Sequence, residues 1–329
     1  MNDLVVLHLS DLHIDGNGRS YSKLLKGLLS DLKKETAKIP DNKLVITVTG
    51  DLIHQGNKNA IPAARHFFED LKNAIGQKVI SIYIVPGNHD KARTKENQFL
   101  IPAYRNIRNT GSDNFGNIFF QSLWPIQVQT YKEEYGSGYW ELSQYIYELF
   151  GVDCSKSFVK DTFGVDILSI DYKKYCFVLL NTAWSAADDN HTLKIIFCDF
   201  QMKKIKSSFH DVTDDLNSSP CLTLVLGHHP IGCLHGTEED LVFTEMISFE
   251  ELDANVYLCG HTHDRTIINW FNNRHSLNTL MTGIGWPENG NGMRVGDHYY
   301  SLYIFNVAEN SIDIYVRNTN DGGTFFPDF

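Results

Sequence analysis

The first third of the chain alternates between short apolar segments and longer amphipathic ones. Apolar runs at 4–10, 43–50 and 78–87 have the length and composition of buried strands. The two segments between them, 21–39 and 61–75, carry apolar residues at helical spacing. The order strand, helix, strand, helix, strand predicts a parallel sheet with crossover helices, which is an α/β fold.

After the first third of the chain, the segment 91–165 interrupts the alternation of strand and helix patterns, and strand patterns occur again beyond it. Residues 91–165 are rich in aromatic residues and Asn, and only 139–150 has a helical pattern. We interpret 91–165 as an insertion, or cap, that packs over the core of a single domain spanning 1–329. A helix is predicted at 199–209. Apolar strand patterns, the last four of them typical of antiparallel strands, occur at 175–184, 221–227, 255–260, 266–272, 275–283, 298–307 and 311–318.

Charge and cysteine usage limit the classes of function. The net charge of −11 argues against a broad basic surface that binds a nucleic-acid backbone nonspecifically. The six cysteines form no CxxC pair, so we interpret them as reduced thiols of a cytoplasmic protein. The first residues lack the basic region of a signal peptide. No apolar stretch has the length needed to cross a bilayer, so no membrane association is expected.

Five polar clusters each come directly after an apolar strand pattern. In open α/β sheets, ligands bind at the carboxyl ends of the strands, so we expect the five clusters to meet in one crevice. Four of them contain a Gly, which permits a tight turn beside a ligand. The clusters are Asp11-x-His13, Gly50-Asp51, Gly87-Asn88-His89-Asp90, Gly227-His228-His229 and Gly260-His261-x-His263.

The residue types in these clusters suit divalent metal ions. Imidazole nitrogens together with carboxylate and amide oxygens match Mn, Fe, Co, Ni or Zn. No Cys belongs to the clusters, which excludes a structural zinc knuckle. The clusters hold more candidate ligands than one ion needs, so we predict two metals about 3.5–4 Å apart.

As a set, the five clusters resemble the signature blocks of the calcineurin-like metallophosphoesterase superfamily. The resemblance covers 11–263 and implies a four-layer αββα sandwich, with the aromatic-rich insertion added to it. It also implies two divalent ions, Mn and/or Fe most of all, with Zn, Ni or Co as alternatives. When the ligand roles of the family are carried over to the matching positions of this sequence, Asp51 is expected to bridge both metals. The other implied ligands are Asp11, His13 and His263 for the first metal, and Asn88, His228 and His261 for the second.

The resemblance also implies a mechanism. A hydroxide that bridges the metals attacks phosphorus, and the metals neutralise charge on the phosphate oxygens. His89 is expected to act in catalysis beside the phosphate, and Asp90 is expected to orient His89. His229 comes directly after a ligand. It is expected either to contact the ligand residues without binding a metal itself or to contact the substrate. Arg294, in a Gly-rich loop, is a further candidate for binding the substrate phosphate.

The sequence specifies the substrate less closely than it specifies the type of reaction. The protein-phosphatase branch of the superfamily usually has Glu after the His of the third block, whereas this chain has Asp90 followed by Lys91. A small phosphodiester, such as a cyclic nucleotide or a glycerophosphodiester, is therefore the first expectation. The alternative is a DNA nuclease of the double-strand-break repair type, because His54 in "GDLIH" occupies the position of a catalytic His there.

The nuclease alternative needs cations for backbone binding, which a partner subunit would supply, and aromatic residues of the insertion would stack bases. Nucleic acid is thus a possible but not a favoured partner. A phosphomonoesterase is less expected, and so is a non-catalytic scaffold, since all seven ligand positions are filled. A protein partner would dock on 91–165.

Overall fold

The computed structural model shows two β-sheets packed face to face, with helices on the outside. The residues that it describes are 4–15, 21–41, 43–91, 136–153, 163–186, 199–214, 219–247, 252–263, 265–271, 276–284, 298–320 and 323–328, together with 161, 195 and 197.

The first sheet combines the N-terminal parallel strands with three C-terminal antiparallel ones. Its strand order is β12-β11-β10-β1-β2-β3. β1 lies at the centre, pairing parallel with β2 and antiparallel with β10. Both β1 and β2 are buried along their whole length, as their continuous apolar runs predict. The strands are β1 (Leu4–Leu9), β2 (Leu44–Thr49), β3 (Val79–Val85), β10 (His298–Asn306), β11 (Ser311–Thr319) and β12 (Phe326–Pro327).

The second sheet has the order β4-β5-β6-β7-β9-β8. β5, β6, β7 and β9 run parallel to one another, and antiparallel strands close both edges. The strands are β4 (Gly164–Ile170), β5 (Lys173–Leu179), β6 (Leu222–Leu226), β7 (Val256–Cys259), β8 (Ile267–Phe271) and β9 (Ser276–Met281).

Five helices of the described residues complete four layers, αββα. α1 packs on α2, and α3 packs on α2 and β3, outside the first sheet. α4 packs on β4 and α5 on α4, outside the second. This arrangement confirms the fold class predicted from the sequence. The helices are α1 (Tyr21–Thr36), α2 (Ile61–Ile75), α3 (Gly136–Leu149), α4 (Asp199–Asp214) and α5 (Gly236–Ile247).

Buried side chains join the two sheets. The Tyr83 ring of β3 stacks on Phe177 of β5 with a centroid distance of 4.2 Å. The Tyr83 hydroxyl donates a hydrogen bond to Asp166 Oδ2 of β4 at 2.7 Å. Aromatic stacking and a satisfied buried hydroxyl both favour one specific sheet-to-sheet packing. That packing is what brings the polar ends of both sheets to one place.

Several sequence predictions need correction or fall outside the described residues. β4 and α5 were not predicted, and β9 pairs parallel with β7 rather than lying in a purely antiparallel set. Most of the predicted insertion, 91–165, lies outside the described residues; its described helix α3 packs on the outer helix layer, where Arg65 of α2 covers the Tyr145 ring at 4.7 Å.

The four described cysteines form no disulfide with one another; Cys176 and Cys259 are buried in strands, whereas Cys221 is exposed. Cys154 and Cys198 lie outside the described residues. Within the described ranges, no helix is both long and apolar enough to span a bilayer.

Candidate metal centre

The five polar clusters meet where the carboxyl ends of five strands converge. β1, β2 and β3 of the first sheet end just before Asp11, Asp51 and Asn88. β6 and β7 of the second sheet end just before the clusters that hold His228 and His261. Asp11, Asp51, Asn88 and His228 form a buried floor, with at most 3% of each residue exposed. The predicted crevice is therefore present, and both sheets contribute to it.

Left-handed backbone conformations are frequent at this crevice within the described part of the chain. Among the described residues, ten non-glycine residues have positive φ, and five of those ten are predicted metal ligands. Asp and His are among the residue types that tolerate this left-handed region, yet it still costs about 1 kcal/mol or more per residue. Such strain concentrates at functional sites. The five are Asp11, His13, Asp51, His261 and His263, with φ between 43° and 73°.

Backbone hydrogen bonds hold the strained loops in register. The Asp11 N–H donates to the Gly50 carbonyl at 3.1 Å, and the His13 N–H donates to the Asp51 carbonyl at 2.8 Å. Glycine permits a further close approach: a Cβ on Gly87 would lie 2.2 Å from Asp51 Oδ1. The loops after β1, β2 and β3 therefore form one compact unit, in which any side chain at position 87 would displace Asp51.

A first group of ligand atoms comes together from Asp11, His13, Asp51 and His263. One ligand atom from each of the four lies within 4.8 Å of the others. The Nε2 atoms of His13 and His263 are 3.2 Å apart, and His263 Nε2 is 3.3 Å from Asp11 Oδ1. His13 Nε2 is 3.7 Å from Asp51 Oδ2. This set fits a divalent cation of the borderline class and matches the ligands implied for the first metal.

A second group forms around the side-chain oxygen of Asn88. His228 Nε2 lies 3.0 Å from Asn88 Oδ1, and His261 Nδ1 lies 3.2 Å from it. His228 Nε2 is also 3.4 Å from Asp51 Oδ2. Two imidazole nitrogens, an amide oxygen and a carboxylate oxygen thus face one another, which again suits a divalent transition metal.

Asp51 stands between the two groups. Its Oδ1 accepts the backbone N–H of His89 at 2.7 Å. Its Oδ2 is buried and accepts no hydrogen bond from the residues that the structure describes. Because an unsatisfied buried carboxylate oxygen is costly, an oxygen that faces His13 on one side and His228 on the other fits a site that binds cations. The residues present therefore fit two metal ions that share Asp51.

The ionisation of the site also suits metal binding. Burial lowers the pKa of His13 to about 3 and that of His261 to about 4, so both imidazoles are neutral, as ligands must be. Burial raises the pKa of Asp51, but the charge of the neighbouring His228 outweighs this effect and holds that pKa well below its usual range. Asp51 is therefore an anion at neutral pH.

His228 is oriented by the backbone behind it. Its Nδ1–H donates to the Thr49 carbonyl at 2.7 Å, which turns Nε2 toward Asn88 and Asp51. Burial lowers the pKa of His228, but the charge of the nearby Asp51 outweighs this effect and raises the pKa to about 9. A metal ion that binds at Nε2 would have to displace any proton on that nitrogen.

His89 and His54 lie together at the rim of the first group. Their rings stack with a centroid distance of 5.2 Å, and the His89 centroid is 4.7 Å from that of His13. Both are half-buried, so a molecule entering from solvent can reach them. The His89 carbonyl accepts the N–H of Gly56 at 2.9 Å, which ties the two loops together. His54, predicted only for the nuclease alternative, thus lies beside His89 and His13.

The expected role of Asp90 is corrected by its contacts. Its Oδ1 accepts the N–H groups of Leu52 and Ile53 at 2.8 and 3.0 Å, and its Oδ2 accepts that of Gly87 at 2.8 Å. Burial and the charge of Asp51 raise the pKa of Asp90 to about 8. The carboxyl group therefore connects the loop after β3, the third loop, to the loop after β2 by hydrogen bonds to the backbone of both. It does not orient His89.

His229 lies beside the second group, and its expected role stays a prediction. Its Nδ1 atom lies 3.1 Å from Thr182 Oγ1, and its ring lies 4.5 Å from that of His261. Arg294 lies outside the described residues. Two further residues were not predicted from the sequence. Thr182, which follows β5, contacts His228 and His229, and Lys91 binds the backbone of the segment that holds Thr182. The polar pair "NT" at 181–182, which interrupts the apolar strand pattern predicted at 175–184, was the signal for Thr182.

Comparison with known proteins agrees with this geometry. A family model for calcineurin-like phosphoesterases matches residues 4–265. A curated relative, the uncharacterized metallophosphoesterase-like protein YydB of Bacillus subtilis (strain 168), is 21% identical over 265 residues, which are 78% of this chain. The match spans 48% of YydB, about half of its length. The chain belongs to the calcineurin-like phosphoesterase family.

Similar solved structures include the NAD nucleotidase NadN of Haemophilus influenzae, which is 12% identical with a TM-score of 0.47 over 99% of this chain and 54% of that one. A single mutant of Vps29 from Entamoeba histolytica is 11% identical with a TM-score of 0.39 over 99% of this chain and 97% of that one. The family assignment rests on the family model, which covers all five clusters.

Proposed function

We propose that the protein is a metal-dependent hydrolase that cleaves a phosphodiester of a small molecule. The observation that carries this proposal is the pair of ligand groups that share Asp51 Oδ2. Two divalent ions bound there would supply a nucleophile from water near neutral pH and would neutralise charge on the phosphate oxygens. Four positive charges against the two carboxylates Asp11 and Asp51 leave a net positive site, which suits an anionic substrate.

The protein's own residues have distinct tasks in this proposal. Asn88 supplies an oxygen ligand without adding negative charge, which preserves the attraction for phosphate. His89, held by its backbone to Asp51 and Gly56, donates a proton to the leaving oxygen. The neighbouring ring of His54 stacks on His89 and limits its rotation.

Charge at the site favours a diester over a monoester. A phosphomonoester carries close to two negative charges, and arginine is the side chain best suited to bind such a group. The three arginines that the structure describes are engaged elsewhere: Arg65 with Tyr145, Arg265 with Asp328 and Arg317 with Asp31. A singly charged diester requires less positive charge beyond the metals. Within the described part of the chain, the site therefore matches a diester better.

The contacts of His54 favour DNA cleavage as a second candidate function. A second imidazole beside His89 can position a nucleotide phosphate or assist proton transfer to its leaving group. Cleavage of single-stranded DNA also breaks a phosphodiester, so the same metal groups would serve it.

The test is a substrate panel on protein that has been stripped of metal and reloaded with Mn²⁺. The panel contains a phosphomonoester, a generic diester, cyclic nucleotides, glycerophosphodiesters and single-stranded DNA, and bound metal is measured in parallel. We expect two ions per chain and the highest kcat/KM on a small diester. A preference for the monoester, or activity that is unchanged after metal removal, would contradict the proposal.

His54→Ala separates the two candidate functions. If the protein is a nuclease, this variant lowers DNA cleavage by about 100-fold, the scale of a lost acid–base group. If a small diester is the substrate, the loss on that diester stays within about threefold, because His89 remains. His66→Ala, a change on the exposed face of α2, is the matched control and leaves both activities unchanged.

A further inference from the structure

Lys91 is a buried cation that crosses from one sheet to the other. It comes directly after the turn Asn88–Asp90 that succeeds β3, and 8% of it is exposed. Its Nζ donates hydrogen bonds to the carbonyls of Trp184 and Ala186, both at 3.0 Å, in the segment after β5. Burying an ammonium group is costly unless it is hydrogen-bonded, so these contacts define where the segment lies relative to the turn.

The same segment holds the second sheet's ligand loop through Thr182. Thr182 Oγ1 accepts the backbone N–H groups of His228 at 3.2 Å and His229 at 3.0 Å. Because both contacts occupy acceptor positions of the hydroxyl, its own O–H donates to His229 Nδ1 at 3.1 Å. The side chain of Gln201 pairs with the backbone of Asn181 at 2.7 and 3.1 Å, which anchors the segment to α4.

These contacts close a circuit around the second ligand group. The third loop carries both Lys91 and Asn88; Lys91 binds the segment, Thr182 in the segment binds His228, and His228 Nε2 faces Asn88 Oδ1 at 3.0 Å. We propose that Lys91 and Thr182 are positioning residues that fix Asn88 against His228 and so set the affinity for the second divalent cation. This inference rests on the proposed two-metal centre.

The first ligand group has no comparable dependence on this circuit. Asp11, His13 and Asp51 come from two adjacent loops of one sheet, joined by their own backbone hydrogen bonds. The contribution of the second sheet, His263, lies just beyond His261, whose N–H donates to the Asp11 carboxylate at 3.1 and 3.2 Å. Loss of Lys91 or Thr182 should therefore weaken one metal site selectively.

The experiment measures Mn²⁺ binding to the metal-stripped full chain by calorimetry, without substrate. Of the two binding steps, the one that Asn88→Ala weakens is assigned to the second group. Lys91→Met and Thr182→Val are each expected to raise the Kd of that step about tenfold or more, and to leave the other step within about threefold. Because both act in one circuit, the double variant should lose no more than the worse single variant.

Two controls separate positioning from general damage. Thr182→Ser keeps the hydroxyl and should restore the affinity of wild type, and Lys26→Met on the exposed face of α1 should change neither step. Equal weakening of both steps together with a fall in Tm, additive losses in the double variant, or unchanged binding would overturn the inference. One bound ion in the wild type would overturn the proposed centre as well, whereas two ions and an unaffected Lys91→Met would overturn this inference alone.

Discussion

The two ligand groups differ in where their members originate. The first draws Asp11, His13 and Asp51 from neighbouring loops of the first sheet and adds one residue, His263, from the second. The second group places Asn88 of the first sheet against His228 and His261 of the second. The first group is therefore fixed mainly by the parallel pairing of β1 with β2, whereas the second depends on how the two sheets pack.

This difference shows that sites of the same ligand chemistry can have different structural supports. Strand pairing is defined by regular backbone hydrogen bonds, so the first group inherits its geometry from a sheet. The second group inherits its geometry from side-chain contacts across the sandwich, such as the 2.7 Å hydrogen bond of Tyr83 to Asp166. Changes that disturb sheet packing should therefore affect the second group first.

Asp51→Asn is expected to have the largest effect, because it removes the one charge that both groups share. We predict that bound Mn²⁺ falls below one ion per chain and that kcat falls about 1,000-fold or more, which exceeds the loss of a single hydrogen-bond donor. Metal analysis and steady-state kinetics measure the two quantities. Asp313→Asn, at an exposed position of β11, is the matched control. Retained metal and turnover would show that the groups do not share this ligand.

His89→Ala should separate catalysis from metal binding. The imidazole belongs to neither group, so metal content is expected to stay at two ions per chain while kcat falls about 100-fold or more, the scale of a lost general acid. A loss of metal equal to the loss of turnover would place His89 among the ligands and contradict the role given to it.

Asn88→Asp tests the second ligand group separately from the first, because Asn88 belongs to the second group alone. The carboxylate keeps an oxygen ligand but adds negative charge, so we expect Mn²⁺ to remain bound while kcat falls about tenfold through weaker attraction for the anionic substrate. Unchanged turnover in this variant would indicate that the net charge of the centre does not limit catalysis.

Asp90→Asn should have the smallest effect on chemistry. The amide can still accept from Leu52 and Ile53, but its NH₂ group would face the N–H of Gly87, which leaves that donor buried without an acceptor. The expected cost is about 1–3 kcal/mol of unfolding free energy, measured in denaturant, with kcat within about threefold of wild type. A loss of turnover as large as that of His89→Ala would restore the role first expected for Asp90.

Periodicity and the positions of strand ends were sufficient to predict the central strands and the location of the site. Continuous apolar runs identified β1, β2 and β6, and the rule that ligands bind at carboxyl ends brought Asp11, Asp51 and Asn88 to one crevice. The resemblance to the family added the four-layer arrangement, which the structure confirms. Whether the gathered residues bind two metals stays a prediction.

The missed features depend on contacts between distant parts of the chain. Asp90 meets Leu52, 38 positions earlier, and Lys91 meets Trp184, 93 positions later. In sequence, Asp90 beside His89 has the pattern of a carboxylate that orients an imidazole, and Lys91 has that of a solvated charge. Only the packed loops show that both side chains are buried and bind backbone groups instead.

The left-handed backbone of the ligand loops also affects how such a site changes over evolutionary time. At Asp11, Asp51 and His261, a β-branched or bulky replacement would lose the ligand and strain the chain at once. Neutral drift there is expected to favour Asn, Asp, His or Gly even in a descendant that no longer hydrolyses anything. A preserved motif in a distant relative then indicates the loop conformation as much as the chemistry.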